Sequence, residues 1–160
     1  MSGLSLIEIL ISTLILGIIV AGIFAVLNIA DMTWNSDMGL LEIQQQVRQA
    51  IDGMIREIRQ CRPQDITIKD EGSRVDFLVP DISNSISYYI LNNQILREHP
   101  AGTQKILAND ITDLKFCCVG GISCTDCLNA GILQIRIRAD KTVKGRPLSF
   151  SLKEQTRLRN

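Results

Sequence analysis

Five cysteines are the residues of this chain best equipped for chemistry. Cys61 stands alone, while Cys117, Cys118, Cys124 and Cys127 crowd into the string CCVGGISCTDC. Three chemistries fit them. Disulfide bonding comes first, since thiols in a small extracytoplasmic domain sit in an oxidising compartment and persist there as structural cross-links. Adjacent Cys117 and Cys118 rarely bond to each other, so Cys124 and Cys127 are their expected mates, in a connectivity that spacing does not decide. Cys61 is then a tie between distant parts of the chain or the odd thiol left over. A thiolate metal site is the second reading, from Cys118 with Cys124-x-x-Cys127, although zinc ribbons separate two C-x-x-C pairs by a longer segment. The third is a redox pair of Cys124 and Cys127, without the strand and helix setting of a thioredoxin-like motif.

Little else points to catalysis. The single histidine, His99, precedes Pro100 and has no Ser, Cys or acid partner recognisable by spacing, so an exposed loop residue is expected rather than a general base. Neither a G-x-x-x-x-G-K-[ST] phosphate loop nor a G-x-G-x-x-G fingerprint occurs. Asp110 and Asp113 lack the spacing of a calcium loop and are expected on a solvated strand edge. With 17 basic and 17 acidic residues the formal net charge is zero, so the chain creates no bulk field for nucleic acid. A non-enzymatic protein without cofactor or metal is expected.

One charge is out of place. Glu8 lies near the start of GLSLIEILISTLILGIIVAGIFAVL, residues 3–27, and Ile9 to Leu27 then runs without a charge. About 20 such residues cross a hydrocarbon core of about 30 Å as a helix. A carboxylate at the edge of the segment costs a few kcal/mol unless neutralised or paired, which makes an intramembrane acid a functional candidate. The plain alternative is an anchor whose acid sits among the headgroups. A cleaved secretory signal would have a basic start and a shorter apolar core, so the segment is expected to stay in the mature protein.

Gly3, apolar Leu4, then Ser5, Leu6, Ile7, Glu8 and the apolar run resemble the N-terminal motif of type IV pilins and pseudopilins. The resemblance implies cleavage by a prepilin peptidase after Gly3, methylation of the new amino group on Leu4, and a role in assembly for Glu8, which would pair with the N-terminal amine of a neighbouring subunit. It also implies an inner-membrane protein, single-pass with its head in the periplasm until assembly into a filament. The partners implied are other pilin-like subunits, the peptidase/methyltransferase and an assembly platform. Leaders of this family normally carry Lys or Arg before the glycine, whereas Met1 and Ser2 stand here, so a very short leader or a different start is expected. The strings VRQAIDGMIREIRQC and ISYYILNNQILRE and the ending Leu158, Arg159, Asn160 are similar to the larger minor subunits, the J-type pseudopilin of type II secretion and the W-type minor pilin.

Positioning such a motif requires a stem and a head. Asn28 to Gly39 mixes Asp31, Trp34, Asn35 and Asp37 into the apolar pattern and reads as the membrane exit, with Trp34 near interfacial level. Leu40, Ile43, Val47, Ile51, Met54, Ile55 and Ile58 follow at helical spacing, and Pro63 supplies a stop. A continuous helix over 5–61 would be about 85 Å long, with Gly17, Gly22, Gly39 and Gly53 as places to bend or approach a neighbour. The period then becomes alternating. Strands are expected around Ile66 and Ile68, Val75 to Val79, Ile86 to Ile90, and in the second half of Ile106 to Phe116, then at Leu133 to Ile137 and Leu148 to Leu152, with a hairpin turning at Asn92-Asn93.

The expected fold class is therefore α+β, a long N-terminal helix packed on a mainly antiparallel sheet. Its parts would be a leader (1–3), a transmembrane or filament-core helix (4–30), an amphipathic helix (31–62) and a β-rich head (63–160). Two functions remain open. One is a minor pilin-like structural subunit, and the other is a single-pass protein whose extracytoplasmic domain binds something without entering a filament.

Overall fold

The computed structural model describes residues 6–80, 84–121, 123–128 and 130–159. The expected leader, Gly3 and Leu4 lie outside the described residues. The first element is one helix, α1 (Leu6–Ile58), of 53 residues with no proline in it. At about 1.5 Å per residue it is about 80 Å long.

The two halves of α1 differ in what they bury. Residues 6–34 are exposed throughout, because apolar side chains on every side of a helix leave no single face to turn toward a head. From there the buried positions are Ser36, Gly39, Ile43, Val47, Ala50, Ile51, Met54 and Ile58, spaced mostly three and four apart along one stripe. Leu40 and Ile55, expected on that face, lie half-buried at its margins. The helix ends at Ile58, a few residues before the expected limit, in a turn closed by Cys61 N–H donating to Ile58 O at 3.0 Å. Pro63 then opens a short 3-10 turn, where its missing N–H costs nothing.

Two antiparallel sheets follow. β1 (Ile66–Lys69), β2 (Arg74–Phe77), β3 (Ile86–Leu91), β4 (Gln94–Glu98) and β5 (Gln104–Ala108) form a five-stranded meander in chain order. β6 (Ile111–Val119), β7 (Ile132–Val143) and β8 (Arg146–Arg157) form a three-stranded one. Asn92 and Asn93 turn the β3–β4 hairpin at φ of 50° and 60°, a conformation that Asn tolerates better than most residues. The stretch Ile106 to Phe116, expected to hold one strand, holds parts of two. Asp110, at φ 60°, lies between β5 and β6, where the chain leaves one sheet for the other. Alternation of apolar residues reports a buried face, not which sheet owns it, so this change was invisible to periodicity.

Both sheets and the second half of α1 share one core. It runs from Ile43, Val47 and Met54 on the helix through Val75, Phe77 and Tyr88 to Leu114, Phe116, Leu133, Ile135 and Ile137. β7 shows the expected alternation, with Leu133, Ile135 and Ile137 buried and Arg136 and Arg138 exposed. The β7–β8 hairpin lies along α1. Lys144 in its turn bonds Asp31, while near its other end Arg59 Nε donates to Thr156 Oγ1 at 3.1 Å. Asp31 to Arg59 is about 42 Å of helix at about 1.5 Å per residue. A strand of 12 residues at about 3.3 Å each covers nearly the same length.

Candidate functional site

The apolar half of α1 is the largest unsatisfied surface of the molecule. Leu6 is 76% exposed, Phe24 62% and Ile29 64%, far more contiguous apolar area than soluble proteins leave in water. Three of its hydroxyls bond back to the helix's own carbonyls. Ser12 Oγ donates to the Glu8 carbonyl at 2.7 Å, Thr13 Oγ1 to Leu10 O at 3.0 Å, and Thr33 Oγ1 to Ile29 O at 2.9 Å. Bonding of this kind is what a helix needs where no water is available. Among the described residues α1 is the one helix long and apolar enough to cross a membrane, consistent with single-pass anchoring. Glu8 lies exposed in its first turn.

The second half of α1 is fixed to the head by polar contacts around the apolar stripe. Glu57 reaches the five-stranded sheet, where Tyr88 Oη donates to its carboxylate at 2.8 Å and Arg97 Nη2 lies 3.0 Å away. Burial, together with that carboxylate, pushes the Tyr88 phenol well above its ordinary pKa. On the other side, Lys141 Nζ bonds Glu42 at 2.9 Å and approaches Asp110 at 3.6 Å. Gly39 lets the hairpin come close, since a Cβ there would stand 2.8 Å from Val143 Cγ2 and 3.3 Å from Leu148 Cδ1. Of these, Gly39 was marked by sequence as a place to bend or approach a neighbour, and Asp110 as a residue of a solvated strand edge. Glu57, Tyr88 and Arg97 carried no local signal, because their meeting is created by the packing of helix on sheet.

The cysteines sort into two groups. Cys117 is bonded to Cys124 and Cys118 to Cys127, with Cα separations of 4.4 Å and 5.2 Å. The loop is drawn back on the end of β6, where Cys118 N–H donates to Cys124 O at 2.8 Å. All four thiols of the string are thus held in S–S bonds. Cys61, a disulfide candidate by sequence, is a free and fully buried thiol. Burial pushes its pKa up to about 12, with the negative charges of Asp65 and Glu57 adding to the effect. The end of the stem is tied to the head by backbone instead, as Arg159 N–H donates to Cys61 O at 3.1 Å and Leu158 N–H to Gly131 O at 3.0 Å.

The remaining candidates take structural places. His99 follows β4, half-buried rather than exposed, with Nδ1 3.5 Å from Ser85 O, because the strand end folds it against the neighbouring loop. Asp113 faces Arg136 at 3.2 Å, and Asp110 faces Lys141, so each carboxylate has a cation on the next strand. The arrangement is a packed head that carries an exposed apolar helix. No protein-family model matches the chain, and no curated protein matches it.

Proposed function

We propose that the chain is a minor pilin-like structural subunit of the pseudopilin kind. It is processed by a prepilin peptidase, held in a membrane by its apolar stem, and assembled into or at the tip of a secretion pseudopilus or type IV pilus. The observation that carries this reading is the division of α1, in which residues 6–34 are exposed and bury nothing in the head while Ser36 to Ile58 is built into its core. A surface of that kind is tolerated only in lipid or against other helices. An anchor needs no acid, and Glu8 raises the cost of burial. The pilin motif around Gly3 and Leu4 supplies a use for it, as the partner of a neighbouring subunit's new amino group during assembly.

Mass spectrometry of the N-terminus of membrane-extracted protein, made in a host with a prepilin peptidase, is the test. The expected mature chain starts at Leu4 and carries one methyl group. An intact Met1 would overturn the proposal in favour of an unprocessed single-pass protein with an extracytoplasmic binding domain.

A further inference from the structure

The three-stranded sheet turns one face to the core and the other outward, and register decides which charges meet on the outward one. Lys115 of β6 stands opposite Arg136 of β7, and Arg136 stands opposite Lys153 of β8. Three cations therefore form a row across three adjacent strands, with neighbouring Cβ atoms about 5 Å apart. Like charges placed directly opposite each other destabilise a sheet. In the next row Arg138 lies between Asp113 and Ser151, and Arg157 stands opposite Ile132 two rows the other way. The outward positions of these strands thus carry five cations against two acids, Asp113 and Asp140, on a chain whose net charge is zero.

The acids present do not cancel the row. Asp113 takes Arg136 at 3.2 Å, and Asp140 takes Arg138 at 3.2 Å. Lys115 Nζ donates to a carbonyl, Glu71 O, at 3.0 Å, which leaves its charge unbalanced. Among the described residues neither Lys115 nor Lys153 makes an ion pair. An acid or an amide in place of Lys153 would relieve the repulsion, so the row costs stability that nothing in its own sheet offsets.

The spacing of the charges says what kind of anion fits. Arg136 and Arg138 are two residues apart on β7, about 6.6 Å, which is also the spacing of carboxylates at every second position of an extended peptide. Guanidinium and ammonium groups pair with carboxylates, and the amides of Gln134 and Gln155, bonded to each other at 3.3 Å in the adjoining row, suit peptide groups. The outward positions of the three strands hold no aromatic side chain on which bases would stack, and a neutral chain attracts a nucleic acid little. A second copy is a poor source of the anion, since the longest run of acids in the sequence is Asp70 and Glu71.

We propose that the outward face of β6, β7 and β8 is a docking surface for an extended acidic segment of another protein, whose carboxylates pair with Lys115, Arg136 and Lys153. The surface belongs to the head, so the proposal is independent of how the stem is processed or packed.

The test uses the full chain in dodecyl maltoside micelles and follows the fluorescence anisotropy of a labelled peptide of alternating glutamate and threonine, with labelled oligothymidylate for comparison. Saturable binding of the peptide that weakens as salt is added is expected. Lys153→Gln should weaken it about threefold and Lys153→Glu about tenfold, while Arg48→Gln, which removes an exposed cation from α1, should leave it unchanged. Because the repulsion is relieved, Lys153→Gln should also melt at or above the temperature of the unmodified chain. A lower melting temperature would make the row a structural element and overturn the proposal. Equal weakening by Arg48→Gln would overturn the choice of face, and tighter binding of oligothymidylate than of the peptide would overturn the choice of partner. Absence of saturable binding up to about 1 mM peptide would overturn the docking surface altogether. None of these outcomes alters the result of N-terminal mass spectrometry, so the two proposals fail separately.

Discussion

Gly39 and Gly53 are the same residue on one helix, yet a methyl group at each should act in opposite directions. A Cβ at Gly39 would press on Val143 and Leu148, and a β-branched valine has little rotamer freedom with which to yield. Overpacking of this kind costs about 1–3 kcal/mol, more than the gain of up to about 1 kcal/mol in helix propensity. At Gly53 nothing lies within 4 Å, so only the propensity gain remains. Urea denaturation in detergent should therefore show a lower midpoint for Gly39→Ala and a higher one for Gly53→Ala; a stabilised Gly39→Ala would contradict the close approach. Cys61 makes a second expectation, in pH. Its pKa rises on folding from an ordinary 9.0 to about 12, so the fold favours the neutral thiol. That contribution is fully present below about pH 9 and is lost as pH rises toward about 12, at about 1.4 kcal/mol per unit. Tyr88, also raised, has the same sign but begins only above its ordinary 10.0. Stability should be flat near neutrality and fall from about pH 9, and Cys61→Ala should flatten the first part of that fall. An unchanged alkaline slope in Cys61→Ala would show that the thiol does not titrate in this way.

Between elements, the junction of α1 with β3 and β4 depends on Glu57. Its side chain is 29% exposed and that of Arg97 22%, so the pair is worth less than a fully buried one and more than a surface one. Glu57→Gln should cost about 1–2 kcal/mol, and a double-mutant cycle with Tyr88→Phe should return a coupling of about 1 kcal/mol. Coupling near zero would separate the phenol from the carboxylate. The two disulfides cross-link overlapping short segments, 117–124 and 118–127. One such loop is worth about 2.5 kcal/mol in the chain-entropy account, and the second adds less because the first has already shortened the chain. Reduction should lower the melting temperature by an amount matching about 3 kcal/mol and leave the far-ultraviolet circular dichroism intact, since the strands of both sheets are paired along their own ladders. What sequence could show at this scale followed from repetition. The stripe Ile43, Val47, Ile51, Met54 and Ile58 was legible because burial selects every third or fourth residue, and β7 because it selects every second. Asn92-Asn93 was legible because few residues tolerate its backbone. The division of the strands between two sheets, the pairing of the cysteines and the burial of Cys61 were not, because each depends on which distant segments come to lie side by side. Lys144 carried no local signal either, because its contact with Asp31 exists only once the hairpin lies along the helix.

Across the whole molecule, stability and the proposed function fall on different lengths of the same helix. Residues 6–34 are exposed, and burial against the head starts at Ser36, so the stem contributes nothing to the core that holds the head together. A chain beginning at Asp31, which keeps the contact with Lys144, should therefore be soluble and should melt at the same temperature as the full chain in detergent. A lower melting temperature or aggregation would show that the stem is part of the fold. That separation gives Glu8→Ala its meaning. The variant removes a carboxylate whose burial costs a few kcal/mol, so insertion into the membrane should be at least as efficient as before. The head lies too far along α1 to sense the change, and its melting should not move. If assembly nevertheless falls, the loss lies in recognition between subunits and not in folding or anchoring, as a charge pair formed only in the filament requires. Assembly at the original level would remove the charge pair from the account and leave the apolar surface of α1 as the sole source of register.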